Sequence, residues 1–190
     1  MNYLKSFIPW IGFAIVSTQA DWRWSSLIGL ALAGGLLLLQ RRRGQAWDTL
    51  IIELSAVVFF ALLSGYAFAD PDSPLRDYVG ALTDAWLALT AWGSLAVRHP
   101  FTLGIARTMT PPQVWHHPRF RRVNVVITTV WAASFTVSAA AGAFLLHFAP
   151  HATVELVVIK VLAFVVPVTF TIRYSERSRA RARQADEEAP

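Results

Sequence analysis

The chain has no cysteine and only two methionines in its 190 residues. Without a thiol there is no disulfide, no thiolate metal ligand and no cysteine nucleophile, so thiol chemistry is excluded. Charge is scarce as well: Asp, Glu, Lys and Arg make up 15% of the residues and gather in a few clusters. A soluble domain of this size would spread charges along every element to cover its surface. Enzyme signatures are missing too: there is no Gly-rich phosphate loop, no HExxH-type metal helix and no nucleophile with its base. His116 and His117 are adjacent and diverge on a helix, while His147 and His151 are split by Pro150, so no metal or cofactor is expected.

What the chain does have is apolar length. Hydrophobic residues make up 55% of it and the mean hydropathy is +0.44. Apolar runs fall at about 3–20, 24–40, 47–69, 78–97, 124–149 and 152–172, each near the roughly 17–25 residues that cross a bilayer. These predict an all-α polytopic bundle of six transmembrane helices in one domain, 1–175. A charged tail, 176–190, is poor in large apolar residues and predicted to be disordered. The first run is the weakest, since Lys5, Pro9, Ser17, Thr18 and Gln19 shorten it. A competing reading makes residues 1–20 a cleaved signal peptide with Thr18-Gln19-Ala20 at the cleavage site, but Pro9-Trp10 interrupts its apolar stretch.

Orientation follows from the loops. All of the 17 cations except Arg23, Arg76 and Lys160 fall on one side of the six runs: Lys5, Arg41 to Arg43, Arg98, Arg107, Arg119, Arg121, Arg122, and Arg173 to Arg183. Basic residues resist translocation, so that side is cytoplasmic, and an even number of spans puts both termini there. The same pattern explains the pI of about 10.2 without a nucleic-acid partner. The opposite loops are short, with Pro71 and Pro74 as turn formers in one of them.

Segment 98–123 is the longest between runs. It interleaves Phe101, Leu103, Ile105, Met109, Trp115 and Phe120 with Arg107, Arg119, Arg121 and Arg122. That mixture suits an element in the headgroup layer, with guanidinium groups on anionic lipid phosphates or a protein partner. The alternative is a loop whose charges only set topology. Its four prolines predict one or two helical turns around 101–109 followed by an extended stretch.

Ionisable groups inside the runs form the second candidate site, because a charge in hydrocarbon needs a partner or water. They are Glu53, Asp84, Glu155 and Lys160. Counted along their helices, Asp84 and Lys160 sit roughly 9 and 12 Å below the same outer surface. They are the natural pair, with Glu155 as a second acceptor. Glu53 lies near the other surface, where Arg98, Arg122 or Asn124 are its expected partners. A structural ion pair and a proton or ion relay are both open for this group.

Two spacings, Ala31-x-x-x-Gly35 and Ser138-x-x-x-Gly142, allow close helix contact within one protomer or between two in a homo-oligomer. Of eight tryptophans, Trp10, Trp22, Trp24, Trp47 and Trp115 fall near expected interfaces, while Trp86, Trp92 and Trp131 are deeper and read as packing residues.

The layout resembles that of the intracellular septation protein A family of bacterial inner-membrane proteins. The residues that carry this are the Lys-bearing start running into Phe7-Ile8-Pro9, the basic turn at 41–43, Arg98-His99-Pro100, the stretch Pro111 to Trp115, Trp131, and Lys160 at mid-depth in the last run. The resemblance covers about residues 3–175, and Pro100, Trp115, Trp131 and Lys160 match by position and type. This chain departs from the family in a longer inner loop, richer in His and Arg, with Phe101-Thr102-Leu103 and Ile105-Ala106-Arg107. The resemblance implies a non-enzymatic inner-membrane protein linked to septation and envelope maintenance, working through membrane partners and carrying no catalytic residue. The runner-up from the residues themselves is a small, proton-linked transporter or channel using Asp84, Glu155 and Lys160. A lipid-modifying enzyme using Glu53 or Asp84 ranks last.

Overall fold

The computed structural model describes residues 6–17, 20–149 and 151–187, with side chains as far as Arg181. Lys5, Thr18, Gln19 and Pro150, each used in the sequence reading, lie outside the described residues. Seven α-helices form among them and no strand: α1 (Ile8–Val16), α2 (Trp22–Arg42), α3 (Ile51–Ala69), α4 (Leu75–Ala96), α5 (Phe101–Arg107), α6 (Pro118–Phe148) and α7 (Thr153–Glu187).

The helix ends follow from local chemistry. Asp21 caps α2 by accepting the Arg23 N–H at 2.9 Å, and the Arg23 guanidinium holds its carboxyl below the usual carboxylate range. At the other end Gly44, with φ of 79°, turns the chain, donating to the Arg41 carbonyl at 2.9 Å while Gln45 donates to Gln40 at 3.2 Å. Helix α4 closes in the same way, but with Arg98 at φ 60° in the left-handed conformation that glycine adopts at less cost. Pro118 opens α6, where a missing N–H costs nothing.

Four helices are long and apolar enough to cross a membrane: α2, α3, α6 and the part of α7 from Thr153 to Arg181. The six spans expected from the sequence therefore reduce to four by length and composition. Helix α4 has the length, at 22 residues, but carries Arg76, Asp77 and Asp84. Helix α1 has only nine residues, about 13 Å of helix against a hydrocarbon core of about 30 Å.

Helix α2 packs along α3, and α4 and α7 pack along α6. Consecutive helices α3 and α4 touch little, leaving an apolar groove of about 350 Å³ that includes Phe59, Leu62, Trp86 and Leu89. Ser55 of α3 bonds the Trp86 indole at 2.9 Å and the Thr90 hydroxyl at 2.5 Å across that groove, and α1 with the residue before it joins the two groups more broadly. Phe7 stacks on Trp131 of α6 at 5.0 Å and meets Phe164 of α7 edge-on at 5.6 Å and Phe101 of α5 at 6.5 Å. Trp10 lies against Phe59 and Phe60 of α3 at 5.1 and 5.0 Å. Phe7, Trp10 and Phe13 are all buried, so Trp10 is a core residue and not the interfacial one expected from its place in the sequence.

Pro167 interrupts the hydrogen-bond ladder of α7, since it cannot donate to the carbonyl of Ala163. Ser134 of α6 supplies the missing donor, its hydroxyl lying 3.1 Å from that carbonyl. Four residues on, Thr171 donates to the Pro167 carbonyl and accepts from the Trp131 indole. In hydrocarbon a freed carbonyl has no water to turn to, so this pairing fixes how α7 seats on α6. Beyond it α7 runs on to Glu187, so residues 176–187, expected to be disordered, are helical; 188–190 lie outside the described residues.

Truncation of Phe7 to Ala should cost about 3–5 kcal/mol of unfolding free energy in detergent, because the ring bridges three helices. Ser134→Ala should cost about 1–3 kcal/mol through the orphaned Ala163 carbonyl. Thermal or denaturant unfolding of the purified variants measures both.

Candidate functional site

The buried stripe of α6 runs along the bundle from its basic end to α4. Asn124, Thr128, Trp131, Phe135, Ser138 and Gly142 recur at helical spacing on one face, which α4, α5 and α7 cover. Ser138 and Gly142 meet α4: the Ser138 hydroxyl donates to Asp84 Oδ2 at 2.5 Å, and a Cβ on Gly142 would lie 3.7 Å from that of Ala81. The small-residue spacing here serves packing within the chain. At Ala31-x-x-x-Gly35 it does not, since Gly35 faces open space, and the close approach on α2 is instead Gly29 against the Phe60 ring.

Lys160 of α7 reaches across this face. Its ammonium donates to Asp84 Oδ2 and, at 2.6 Å, to the Gly80 carbonyl. The Asp84 side chain is 3% exposed and that of Lys160 is 35% exposed. The ammonium runs close over the α4 backbone here: a Cβ at Gly80 would lie in ordinary van der Waals contact with Lys160 Cε, at 3.5 Å. One oxygen of Asp84 thus takes both a cation and a hydroxyl, which balances the carboxylate in a low-dielectric site. Glu155 is not part of the group. It lies exposed near the start of α7, with no cation within ion-pair distance among the described residues.

Glu53 is 1% exposed and stands apart. Its expected partners are replaced by Ser6, which donates to Oε1 at 2.5 Å, and Gln40, which donates to the same oxygen at 2.8 Å. Oε2 has no partner, and no cation approaches among the described residues. Ser6, just before α1, occupies the space beside α3 where Arg98, Arg122 or Asn124 were expected. Arg98 and Arg122 are exposed instead, and Asn124 donates to the Phe120 carbonyl at 2.9 Å.

Segment 98–123 departs furthest from expectation. Phe101 to Ala106 of α5 are all buried, so these side chains do not lie among headgroups but plug the end of the bundle. Gly104 permits this: a Cβ there would fall 2.6 Å from the backbone of Thr49. Thr102 bonds the Asn124 carbonyl at 3.0 Å and the Thr128 hydroxyl at 2.7 Å. Residues 118–123 belong to α6.

The basic candidates then divide. Arg107 pairs with Asp48 at 2.7 Å and lies over the Trp115 ring at 5.6 Å, while the Trp115 indole is tied to the Thr110 carbonyl. Arg121 and Arg122 are exposed, and Arg119 is half-buried at the rim of a cleft of about 600 Å³. The cleft lies between the end of α5, the start of α6 and the far end of α7. Its walls include Met109, Asn124, Ile127, Ser178 and Arg179. Trp24 and Trp47 are exposed as an aromatic belt requires, but so is Trp92, expected to pack, which instead bonds Thr136 on the bundle surface.

The sequence reading missed Ser6, Gln40, Gly80, Ser138 and Arg179 as parts of these sites. The α6 stripe carried a signal, since Asn124, Thr128 and Ser138 are polar residues on an otherwise apolar face. Ser6, Gln40 and Gly80 are paired through tertiary contacts 13 to 80 residues apart, and Arg179 reaches the cleft only because α7 folds back along α6.

Lys160→Met should cost about 3–5 kcal/mol, because it leaves the Asp84 carboxylate buried without its cation, while Asp84→Leu with Lys160→Met should recover much of that loss. Glu53→Gln, which keeps an acceptor for Ser6 and Gln40 and removes an uncompensated charge, should leave stability unchanged or raise it. Unfolding midpoints of the four proteins test both. No family model matches the chain, and no curated protein or solved structure matches it at a significant level.

Proposed function

We propose that the chain is a non-enzymatic, multi-pass protein of the bacterial inner membrane that supports envelope organisation or septation through contacts of its basic end with anionic lipid headgroups and membrane partners. The observation that carries this reading is an imbalance of charge. At one end of the bundle Arg23 and Arg76 each have an acid beside them, Asp21 and Asp77. At the other end lie Arg41, Arg42, Arg43, Arg98, Arg107, Arg119, Arg121, Arg122, Arg173, Arg177, Arg179 and Arg181. Among the described residues only Arg107 of these has a carboxylate within ion-pair distance.

A cluster of unneutralised guanidinium groups beside apolar helices calls for anionic counter-groups, and the phosphates of a cytoplasmic leaflet supply them. The same asymmetry sets the orientation, with both termini inside. The link to septation rests on the resemblance of the layout, through Pro100, Trp115, Trp131 and Lys160, and the homo-oligomer remains part of this proposal. A second reading, proton-linked transport, is favoured by the Asp84 and Lys160 contact at mid-depth, but Glu155 does not join it. Flux into liposomes that depends on Lys160 would support it.

The first reading is tested by the lipid that purifies with the protein. Arg119→Gln with Arg121→Gln and Arg122→Gln should lower the anionic share of that lipid, and should weaken its dependence on salt, while leaving the unfolding temperature in place. An unchanged anionic share in the triple variant would sink the proposal.

A further inference from the structure

The cleft at the basic end is built differently from the exposed arginines around it. Its floor is apolar, formed by Met109, Phe120, Val123 and Ile127, and its volume of about 600 Å³ is that of a small-ligand site. Arg119 and Arg179 stand on its two sides, one from α6 and one from α7, with no carboxylate beside either among the described residues. Asn124 lines it at 2% exposure, and its Oδ1 has no hydrogen-bond partner although its Nδ2 is used. A buried acceptor without a donor is costly, and a ligand hydroxyl in the cleft would satisfy it.

Resting on the proposed contact with anionic lipid, we infer that this cleft binds one molecule of a single-chain anionic phospholipid. Its phosphate lies between Arg119 and Arg179, its free glycerol hydroxyl donates to Asn124 Oδ1, and its acyl chain covers the apolar floor. The order of groups in such a lipid, phosphate, then hydroxyl, then chain, follows the order of the cleft's partners along α6: Arg119, then Asn124, then Ile127. A two-chain lipid has an ester in place of that hydroxyl and offers the Asn124 oxygen no donor there.

Native mass spectrometry of the full chain in detergent decides the matter, with lysophosphatidylglycerol, diacyl phosphatidylglycerol, lysophosphatidylcholine and glycerol 3-phosphate as probes. The expected result is one equivalent of lysophosphatidylglycerol retained at least tenfold more tightly than the other three. Ser178→Trp, which fills the cleft from the α7 wall, should abolish that retention. Asn124→Leu should weaken it by about tenfold. Equal retention by Ser178→Trp, by the zwitterionic lipid or by the diacyl lipid overturns the inference, as does displacement by glycerol 3-phosphate, which would mark a phosphate-ester site and not a lipid site. Arg121→Gln with Arg122→Gln separates the two proposals, because these residues lie outside the cleft. If that pair lowers the anionic share of bulk lipid while the wild type holds no single-chain lipid, the headgroup reading stands and the cleft inference falls.

Discussion

The stacking of Phe7 on Trp131 is the contact on which the rest of the bundle depends. Helices α2 and α3 form one group and α4, α6 and α7 another, and the consecutive pair α3 and α4 meet mainly where Ser55 and Phe59 reach Trp86 and Thr90. In hydrocarbon there is no hydrophobic force to press apolar helices together, so association relies on close packing and on a few polar contacts. The short α1 segment supplies both. Its rings reach α3 on one side and α6, α7 and α5 on the other, and Ser6 beside it provides one of the two donors that reach Glu53. A helix too short to cross a bilayer thus serves as a wedge between two groups that can.

Polar residues are spent sparingly and each closes a specific gap. Ser134 answers the carbonyl freed by Pro167, Thr171 links that same turn to Trp131, and Ser138 shares Asp84 with Lys160. All of these partners on α6 lie along the face that α4 and α7 cover. The cost of burying them falls because each is paired, and the pairing fixes register where Ala, Val and Leu surfaces alone would tolerate sliding. Glu53 is the exception, with two neutral donors on one oxygen and none on the other.

The two ends of the molecule are chemically unlike. One has short turns whose cations sit beside acids, and the other gathers guanidinium groups around a plugged, partly open mouth. The plug, α5, and the cleft beside it both depend on Gly104, since any side chain there would strike the backbone of Thr49. The basic end therefore combines exposed charge at Arg121 and Arg122 with a recessed surface at Asn124. The first suits a diffuse phosphate layer and the second a single ligand.

Much of this was legible in the residues alone. Apolar runs separated by charge clusters determine the helices, because in a bilayer the backbone must satisfy its own hydrogen bonds, and helices are what a run of about 20 apolar residues can form. The placement of Arg and Lys determines which ends lie together. Helical depth counting was enough to bring Asp84 to Lys160, since both distances run along a single regular axis. Rotation, insertion and partner choice were not legible. Whether α1 crosses or wedges, whether α5 floats on the surface or plugs the end, and whether Glu53 meets Arg98 or Ser6 depend on which side chains face one another across 13 to 80 residues of chain. Only packing settles those, because a ring, a glycine and a hydroxyl acquire their roles from the shape of the surface opposite them.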